Sequence, residues 1–486
     1  MGKLIRSNYI YLIALFIFLS IISIVNRNYM VNSLFFLCVV FSHFIVNQKD
    51  TYEKLYYTMI ISAFFEYTAY FLKFEKIYLF HIFISVTALY FAYLLLKKKI
   101  VLQKIDKYIM SFYVFWYIYM LIGLMWSKNT SFTMKYIIIY TMMFAFLFII
   151  IQFNNSKERF YNTLKVIGVM FVLSTCIGLL ESMLGTQLPV KHYYNYTVHK
   201  LSLQELAVVS KRPIVFFYNS NNFATFATIF LSFGMFFTFY FKNKWFKVCS
   251  FIVTIIAFTA VILTNSRTNF VTAIVILLIY SILTLKEGGK KSLVFILLFV
   301  ITFTVSYKYS YMLVSKKNVV SVPKTSERMK ALTKINKVEI GEEGSENERM
   351  TIIMDVYEGI VKEGRYFGFG AGNTSQYLMD RKNTAGIYSP HGFLIELFGD
   401  FGIVFVLIFI TYALYLLYNV FMVSIKTNGS NQAIGYSLLA AIIGYGLASF
   451  APSSVTYFLP HWMFFGLIIS YLEVNKNIRK GKIYEY

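Results

Sequence analysis

The sequence predicts an all-α polytopic membrane protein with about 12–14 transmembrane helices and a large extracytoplasmic loop between the late helices. Three observations support this fold class. Hydrophobic residues make up 58% of the 486 residues and charged residues only 14%, whereas soluble domains are roughly a quarter charged. Apolar runs of spanning length recur along the whole chain, and lysines and arginines cluster in alternate connectors between them.

The apolar runs give fourteen candidate spans, because a helix crosses the bilayer core with roughly 17–25 mostly apolar residues. They are 9–25, 29–46, 55–72, 77–96, 108–126, 134–153, 163–184, 216–241, 246–264, 268–285, 292–309, 401–421, 434–450 and 456–472. Short neighbours such as the first pair can instead re-enter the bilayer from one side, so the true number can be lower.

The basic residues predict the orientation. If the N-terminus is cytoplasmic, the basic clusters at 97–107, 157–165, 242–247 and 286–291 all fall on the cytoplasmic side, as the positive-inside rule requires. Both termini are then cytoplasmic, in a multi-pass protein of the cell membrane. The net charge of +23 is spread over these connectors, which argues against nucleic acid as a partner because nucleic-acid binding needs one basic patch.

This orientation predicts five segments and two long outer loops. They are N-terminal helices in 1–107, core helices in 108–309 with an outer loop at 185–215, an extracytoplasmic loop at 310–390, C-terminal helices in 391–473, and a basic cytoplasmic tail at 474–486.

The loop 310–390 carries 12 basic and 10 acidic residues, and its middle, 324–349, is polar. The following segment predicts an amphipathic helix lying on the membrane or on the helix bundle. Its apolar residues at helical spacing are Met350, Ile353, Val356, Tyr357, Ile360 and Val361. The glycines Gly368, Gly370 and Gly372 come next. They are a weak nucleotide motif because no strand precedes them, and they fit a tight turn that offers backbone N–H groups to an anion.

Arginines in the predicted outer loops are candidate anion ligands. Arg267 lies in a connector of about four residues between two spans, so its guanidinium must lie at the outer interface. It either extends its stem along the membrane or binds phosphate oxygens with its planar fork. Lys211 and Arg212 end the other long loop. Asn219, Asn221 and Asn222 follow them and either link helices by hydrogen bonds or face substrate.

The stretch SPHGFLIELFGDFG, residues 389–402, holds three titratable groups where the polar loop meets an apolar run. If a helix begins near His391, about nine residues project beyond the membrane, roughly 13 Å, and His391 stands above the interface as a candidate base. Glu396 and Asp400 are one helical turn apart. His391 can also be purely structural.

Other ionisable residues in apolar runs have less clear roles. Glu66 and Glu181 lie in or at the edge of spans, where a charge is costly and can mark a transport path. His461 lies near an outer helix end and can face the same outer cavity. No carboxylates cluster at metal-ligand spacing, so we expect neither metal nor cofactor.

Four stretches resemble the bacterial O-antigen ligase/polymerase family. LIGLMWSKNTSF (121–132) is similar to its Trp-Ser turn, RPIVFFYNSNNFATF (212–226) to its Arg-then-Asn-Pro-Asn segment, and NSRTNFVTAI (265–274) to its Ser-Arg span entry. The segments NERMTIIMDVYEGI, FGFGAGN and SPHGFLIELFGDFG are similar to its arginine helix, glycine turn and closing His-Asn helix. The resemblance covers about residues 110–425, and its departures are Ser220, Gly392 and Asp400, which stand for Pro, Asn and Glu.

This resemblance implies a GT-C-like fold and a metal-independent glycosyltransferase acting outside the membrane on undecaprenyl-diphosphate-linked oligosaccharides. It implies that Arg212, Arg267 and Arg349 bind the diphosphate and that His391 orients or deprotonates the acceptor hydroxyl. Supporting roles are expected for Lys211, Asn219, Asn222, Glu396 and Asp400. The expected partners are the lipid-linked oligosaccharide, membrane lipid, a chain-length regulator and a flippase.

Three functions fit these expectations. A polymerase joins lipid-linked repeat units of a capsule, exopolysaccharide or wall polymer, and a ligase transfers the glycan to a lipid or wall acceptor. Abundant Lys, Ile, Asn, Phe and Tyr are typical of an AT-rich, Gram-positive source without a lipopolysaccharide core, which favours the polymerase. A flippase or other transporter needs ionisable groups near the bilayer midplane, and only Glu66 meets that requirement.

Overall fold

The computed structural model describes residues 50–65, 70–71, 74–188, 209, 211–314, 339–342, 345–384 and 386–479. The predicted spans 9–25 and 29–46, together with Glu66 and most of the polar stretch 324–349, lie outside the described residues.

The described residues are mostly helical, as predicted. The helices are α1 Thr51–Phe64, α2 Leu79–Leu96, α3 Lys107–Ile122, α4 Thr130–Phe153, α5 Lys157–Leu184, α6 Ser220–Tyr240, α7 Lys244–Leu263, α8 Arg267–Gly288, α9 Lys290–Tyr309, α10 Ser345–Tyr357, α11 Asn373–Arg381, α12 Phe393–Ser424, α13 Gly429–Ala448, α14 Leu459–Val474 and α15 Lys476–Arg479. Short 3₁₀ turns follow α3 (Gly123–Met125) and α9 (Ser310–Leu313), and a π-helical turn follows α10 (Glu358–Lys362).

Among the described residues, nine of these helices are long and apolar enough to cross a membrane, namely α2 to α9 and α12. α14 is apolar but shorter, and α13 opens with the polar residues Gly-Ser-Asn-Gln. The chain is therefore an all-α, multi-pass membrane protein, and the fold class predicted from composition and apolar runs is confirmed.

The predicted span 55–72 is not one continuous helix. α1 ends at Phe64, and the chain then forms a two-stranded antiparallel sheet, with β1 at Tyr70–Phe71 and β2 at Phe74–Tyr78. Tyrosine and phenylalanine favour extended strands, and both strands contain them.

Polar caps explain where many of the helices begin. An Asp, Asn or Ser precedes the first helical residue, and its side chain accepts a hydrogen bond from a backbone N–H of the first turn, which otherwise has no partner. The capping residues are Asp50, Asp106, Asn129, Ser156, Asn219 and Asn243.

The residues form two compact units. The first comprises Met1–Leu102, Ser156–Thr333 and Thr427–Gly444. Its central helix, α6, is buried along nearly its whole length and packs against α7 and α8, while α7 packs against α5. α9 instead exposes a row of aliphatic side chains (Val294, Leu297 and Ile301), which suits contact with lipid tails.

The second unit comprises Gln103–Asn155, Lys334–Lys426 and Tyr445–Tyr486. α4 packs along α14, and α12 packs against both α3 and α14. Large aromatic rings fill the centre: Trp116 and Trp462 are fully buried, and the Phe112 ring stacks on Tyr412 with centroids 3.9 Å apart. This unit contains the loop segment that follows residue 334.

The predicted amphipathic helix exists, but its buried face differs from the prediction. Ile352, Val356 and Ile360 are fully buried, whereas Met350 and Tyr357 are exposed. The buried residues pack on Phe369, Tyr377 and Leu378 from the glycine turn and α11. The two exposed residues precede the π-helical turn at Glu358–Lys362, and within that turn Ile360 is buried as predicted. The helix packs on protein.

Candidate functional site

Three predicted site residues are attached to one short connector in the second unit. This connector, residues 449–458 between α13 and α14, is called the anchor loop below. His391 and Arg349 donate hydrogen bonds to its backbone carbonyls, and Glu396 accepts hydrogen bonds from its N–H and hydroxyl groups. The sequence predicted this segment only as a short connector between two spans.

His391 precedes α12 instead of lying on it. The helix begins at Phe393, with Gly392 as its N-cap residue, so His391 lies two residues before the helix, and its projection beyond the membrane stays a prediction. The backbone of His391 has a φ of 47°, a left-handed conformation that costs energy for a residue other than glycine. Its N–H donates to the Ser453 carbonyl at 3.0 Å, which holds the residue in place.

The His391 imidazole is in a mostly buried environment, and its Nδ1 has no hydrogen-bond partner among the described residues. Burial and the positive charge of Arg349 lower the pKa of His391 to about 3. The ring is therefore neutral at physiological pH and keeps a nitrogen lone pair available. Strained backbone and an unpaired buried nitrogen both favour a functional role over a packing role.

Arg349 lies on α10, and its guanidinium reaches across to the anchor loop. It donates to the carbonyl of Phe450 at 3.3 Å and to that of Ala451 at 3.5 Å. Both distances are at the long end of the hydrogen-bond range. Burial lowers the pKa of Arg349 without making it neutral at physiological pH. A partly buried cation held by two long hydrogen bonds can exchange them for shorter, charge-assisted bonds to an anion.

Glu396 holds the anchor loop in place through hydrogen bonds. Its buried carboxylate accepts from the Ser454 hydroxyl at 2.7 Å, the Thr456 hydroxyl at 2.8 Å and the Val455 N–H at 2.9 Å. These bonds order the segment that carries the partners of His391 and Arg349. Glu396 is therefore a positioning residue that acts through the backbone.

Asp400 occupies the anion site predicted for the glycine turn. Its carboxylate accepts from the Gly372 N–H at 2.7 Å, the Thr374 N–H at 3.0 Å and the Thr374 hydroxyl at 2.6 Å. The turn does present N–H groups to an anion, as its glycines predicted, but within the described structure that anion is an internal side chain.

The glycine turn also breaks α12. Gly402 has a φ of 78° inside the helix, and a Cβ there would collide with the Tyr366 backbone. The Ile403 N–H donates to the Tyr366 carbonyl, while Phe369 and Gly370 donate to the carbonyls of 399 and 400. The turn therefore supplies hydrogen-bond partners for the backbone groups of α12 that lose their helical partners at the break.

Among the described residues, neither Glu396 nor Asp400 pairs directly with an arginine. Each is fully buried, and its oxygens are hydrogen-bonded to backbone N–H groups and hydroxyls. Buried carboxylates are stabilised by such donors, so these two residues organise loops.

Glu181, in the first unit, has the same structural role. Its buried carboxylate accepts from the N–H groups of Leu188 at 2.6 Å, Ile214 at 2.8 Å and Val215 at 2.9 Å. These residues lie near the two ends of the predicted outer loop 185–215. Glu181 thus joins the base of that loop to the end of α5.

Lys211 and Arg212 lie at this loop base. Lys211 is buried and its carbonyl accepts from the Ser182 hydroxyl at 3.3 Å. Arg212 is half-buried, and the Gln187 amide donates to its carbonyl. The nearby Val215 has a φ of 56°, an unusual conformation for a β-branched residue that its bond to Glu181 helps to hold.

The predicted asparagines have two different environments at the start of α6. Asn219 is the N-cap residue and accepts from the Asn222 N–H at 2.9 Å. Asn222 is buried, and its Oδ1 has no hydrogen-bond partner among the described residues. Helix capping explains why an asparagine stands at position 219. It does not explain the buried side chain of Asn222, whose Oδ1 caps no N–H group that the structure describes.

Arg267 is the first residue of α8. It follows Asn265, whose φ of 62° forms the tight connector from α7. The exposed N–H groups and dipole of a helix N-terminus favour anions, and a cation at this position adds to that preference. Asn269, one turn later, was not predicted. It is buried, donates to Thr225 and Ser266, and has an Oδ1 without a partner in the described part of the chain.

His461 does not face an outer cavity. It is 2% exposed, its Nδ1 pairs with the Tyr445 hydroxyl at 2.7 Å, and its ring contacts Phe393 and Trp462. His461 is therefore a packed residue.

The structure thus brings Arg349, His391 and Glu396 together on the anchor loop, and it places Lys211 and Arg212 on the loop base closed by Glu181. The convergence of Arg212 and Arg267 with Arg349 and His391 stays a prediction. Among the described residues, no three His, Cys, Asp or Glu side chains could hold a metal ion, and metal independence also stays a prediction.

Comparison with known proteins gives two matches. Residues 252–410 match the family described as O-antigen ligase, a range that includes Arg267, Arg349 and His391. The chain is also 23% identical over 378 residues to the teichuronic acid biosynthesis protein TuaE of Bacillus subtilis (strain 168), covering 77% of this chain and 73% of the relative.

Both matches confirm the resemblance to the O-antigen ligase/polymerase family. Together with the nine apolar helices found in the described part of the chain, they indicate a multi-pass membrane enzyme of polysaccharide assembly, similar to glycosyltransferases of cell-envelope synthesis.

Proposed function

We propose that this chain is a polysaccharide polymerase that joins undecaprenyl-diphosphate-linked repeat units at the outer face of the cytoplasmic membrane. The observation that carries the proposal is the attachment of Arg349 and His391 to the same anchor loop. A guanidinium suits diphosphate oxygens, and a neutral imidazole beside it suits an attacking hydroxyl.

In the proposed reaction one bond forms, one bond breaks and one proton is transferred. The acceptor hydroxyl oxygen forms a bond to the anomeric carbon of the donor glycan, on the face opposite the diphosphate. The bond between that carbon and the diphosphate oxygen breaks, and undecaprenyl diphosphate leaves with the electron pair. His391 takes the hydroxyl proton, and Arg349 stabilises the charge that develops on the leaving diphosphate.

The low pKa of His391 fits a site that becomes active when substrate binds. In the free protein, burial and Arg349 hold that pKa at about 3, which makes His391 a weak base. A bound diphosphate offsets the positive charge of Arg349 and raises the His391 pKa towards the range in which general bases are effective.

Arg212 and Arg267 supply the remaining diphosphate contacts in this proposal. Support comes from their positions, one beside the loop base held by Glu181 and the other at the N-terminus of α8. Both positions are predicted to lie on the outer side by the distribution of basic residues.

A ligase is the second candidate, because the matching family is described as O-antigen ligase. The chemistry is the same, and only the acceptor differs. The relative's name places it in teichuronic acid biosynthesis, which favours an envelope polysaccharide as the product here. In this proposal, a flippase delivers the substrate in the cell and a chain-length regulator is a further partner.

Purified protein supplied with lipid-linked oligosaccharide tests the proposal. A polymerase gives a ladder of lipid-linked products of increasing length from this substrate alone. A ligase gives product only after a membrane or cell-wall fraction from the same strain is added as acceptor. Both candidates are contradicted if no glycan is transferred in either condition and the protein instead moves intact substrate across the membrane of proteoliposomes.

A further inference from the structure

A polar cavity of about 220 Å³ lies in the second unit, beside the glycine turn and α11. We infer that it binds a sugar residue of the lipid-linked glycan. The inference rests on the proposed function, and it adds a binding site to the anion and base positions described above. The charged and aromatic residues that carry the argument are Lys128, Glu363, Arg365, Tyr377, Asp380 and Arg381.

The lining combines three cationic and two anionic side chains. Lysine and arginine only donate hydrogen bonds, and ionised carboxylates only accept them. A site for a simple anion is impaired by Glu363 and Asp380, and a site for a cation is impaired by Lys128, Arg365 and Arg381. Sugar hydroxyls both donate and accept, so a sugar ring satisfies both kinds of group.

Size supports one sugar residue. Pockets that enclose drug-sized ligands measure roughly 300–1,000 Å³, and this cavity is smaller at about 220 Å³. It therefore suits one ring of a longer chain, with the rest of the glycan extending outside.

Aromatic and guanidinium groups make the cavity wall rigid. Phe369 and Tyr377 stack with centroids 4.2 Å apart. The guanidinium groups of Arg365 and Arg381 lie 5.6 Å from the Phe369 ring and 5.4 Å from the Tyr377 ring. The Tyr377 hydroxyl donates to Glu363 Oε1 at 2.7 Å, which orients that carboxylate. A wall ordered before binding reduces the entropy lost when the ligand binds.

The rim of the cavity, by contrast, is easily rearranged. The Lys128 Nζ lies 2.5 Å from Asp380 Oδ2, and both side chains are well exposed. Exposed ion pairs contribute little stability. Ligand hydroxyls can therefore replace them at small cost.

The cavity wall is linked to the site described above through α12. Phe369 lines the cavity, and its N–H donates to the Gly399 carbonyl at 2.8 Å. Asp400, the next residue, binds Gly372 and Thr374 at the start of α11. Gly399 and Asp400 belong to α12, which begins two residues after His391. A sugar held here belongs either to the donor glycan or to the acceptor repeat unit.

Binding measurements on the full-length protein in nanodiscs test the inference. Two probes are used: the oligosaccharide released by mild acid from the lipid-linked repeat units of the producing strain, and undecaprenyl diphosphate without sugar. The variants are Glu363→Gln and Asp380→Asn, which remove a charge and an acceptor at nearly constant size. Lys362→Gln is the matched control, because Lys362 forms an exposed ion pair with Glu358 and does not line the cavity.

We expect each variant to weaken oligosaccharide binding by about ten- to a hundredfold, the range for lost hydrogen bonds to charged groups. Binding of the sugar-free lipid should stay at the wild-type level, and Lys362→Gln should match wild type with both probes. Unchanged oligosaccharide affinity in both variants would overturn the inference and leave the proposed function intact. Failure of the wild type to bind either probe would instead count against the proposed function.

A transfer assay identifies the source of the sugar. If the released oligosaccharide is extended by wild type and less well by Asp380→Asn, the cavity holds the acceptor. If it only inhibits wild type, and inhibits Asp380→Asn less, the cavity holds the donor glycan. Equal extension and equal inhibition in the two proteins would oppose a sugar site.

Discussion

Gly372 donates its backbone N–H to Asp400 Oδ2 at 2.7 Å, so a glycine turn that resembles an anion-binding loop holds a carboxylate of its own chain. Glu396 binds the anchor loop and Glu181 the base of the loop 185–215 in the same way. In each case a buried helix carboxylate collects N–H groups from an irregular segment. The anchor loop, the glycine turn and the base of the loop 185–215 are thereby fixed to helices.

Asp400→Asn should destabilise the protein. The new amide presents an NH₂ group to donors that the carboxylate satisfied, so at least one buried N–H or hydroxyl loses its partner. The expected cost is about 1–3 kcal/mol, measured as a lower Tm in detergent. The exposed Asp380→Asn is the stability control. Equal Tm values for the two variants would show that the Asp400 bonds contribute little.

Arg267→Ala should abolish polymer formation while the protein remains in the membrane. Arg267→Lys should rescue activity only partly, because a point charge does not reproduce a planar fork. Immunoblotting of membranes and analysis of the polymer provide the measurement.

The matched control for Arg267 is Lys308→Ala, which removes an exposed cation near the predicted outer end of α9. It should leave polymer formation unchanged. Full polymer from Arg267→Ala would leave Arg267 with only a membrane-anchoring role.

His391→Ala should lose most activity and still bind the lipid-linked donor, since general-base help contributes about 10²–10⁴-fold to a rate. Arg267→Ala should lose donor binding. Purified variants assayed for donor affinity and turnover separate the roles. Normal turnover at saturation with weakened donor affinity in His391→Ala would make His391 a diphosphate ligand.

Arg349→Gln should change the pH dependence of catalysis. In wild type, burial and Arg349 lower the pKa of His391 to about 3, so His391 stays neutral and kcat/KM should not fall through its protonation between pH 8 and 5. Without the Arg349 charge the His391 pKa rises, and the acid-side loss of kcat/KM should begin at higher pH.

The control for this pH profile is Arg349→Lys, which keeps the positive charge and should keep the wild-type shape even if activity is lower. The comparison uses the shape of each profile, because Arg349 is also a predicted substrate ligand. Identical shapes in wild type and Arg349→Gln would show that the Arg349 charge does not control His391.

Cysteines introduced in 325–345 should react with a membrane-impermeant reagent in intact cells if the loop 310–390 is external. Position 340 is well suited, because Ile340 is 59% exposed. The native cysteines are first replaced, since Cys249 is also exposed. A cysteine in the predicted cytoplasmic cluster 97–107 should react only after permeabilisation. The reverse pattern would invert the topology and remove the proposed site from the outer face.

Local sequence determined much of this protein. Spans follow from the composition of neighbouring residues, and helix starts follow from adjacent caps such as Asn129 and Asn219, so both can be predicted within a short window. The family resemblance likewise predicted Arg349 and His391 as site residues, and the structure brings these two together on one loop.

Only the tertiary structure decided what these residues contact. Arg349 meets the Phe450 carbonyl 101 residues away, Glu396 meets Val455 59 residues away, and Asp400 meets Gly372 28 residues away. A carboxylate has the same sequence signature whether it binds an arginine, a proton or a backbone N–H. Its role is decided by which buried donors packing brings to it, because a buried charge must be satisfied by the groups that fold around it.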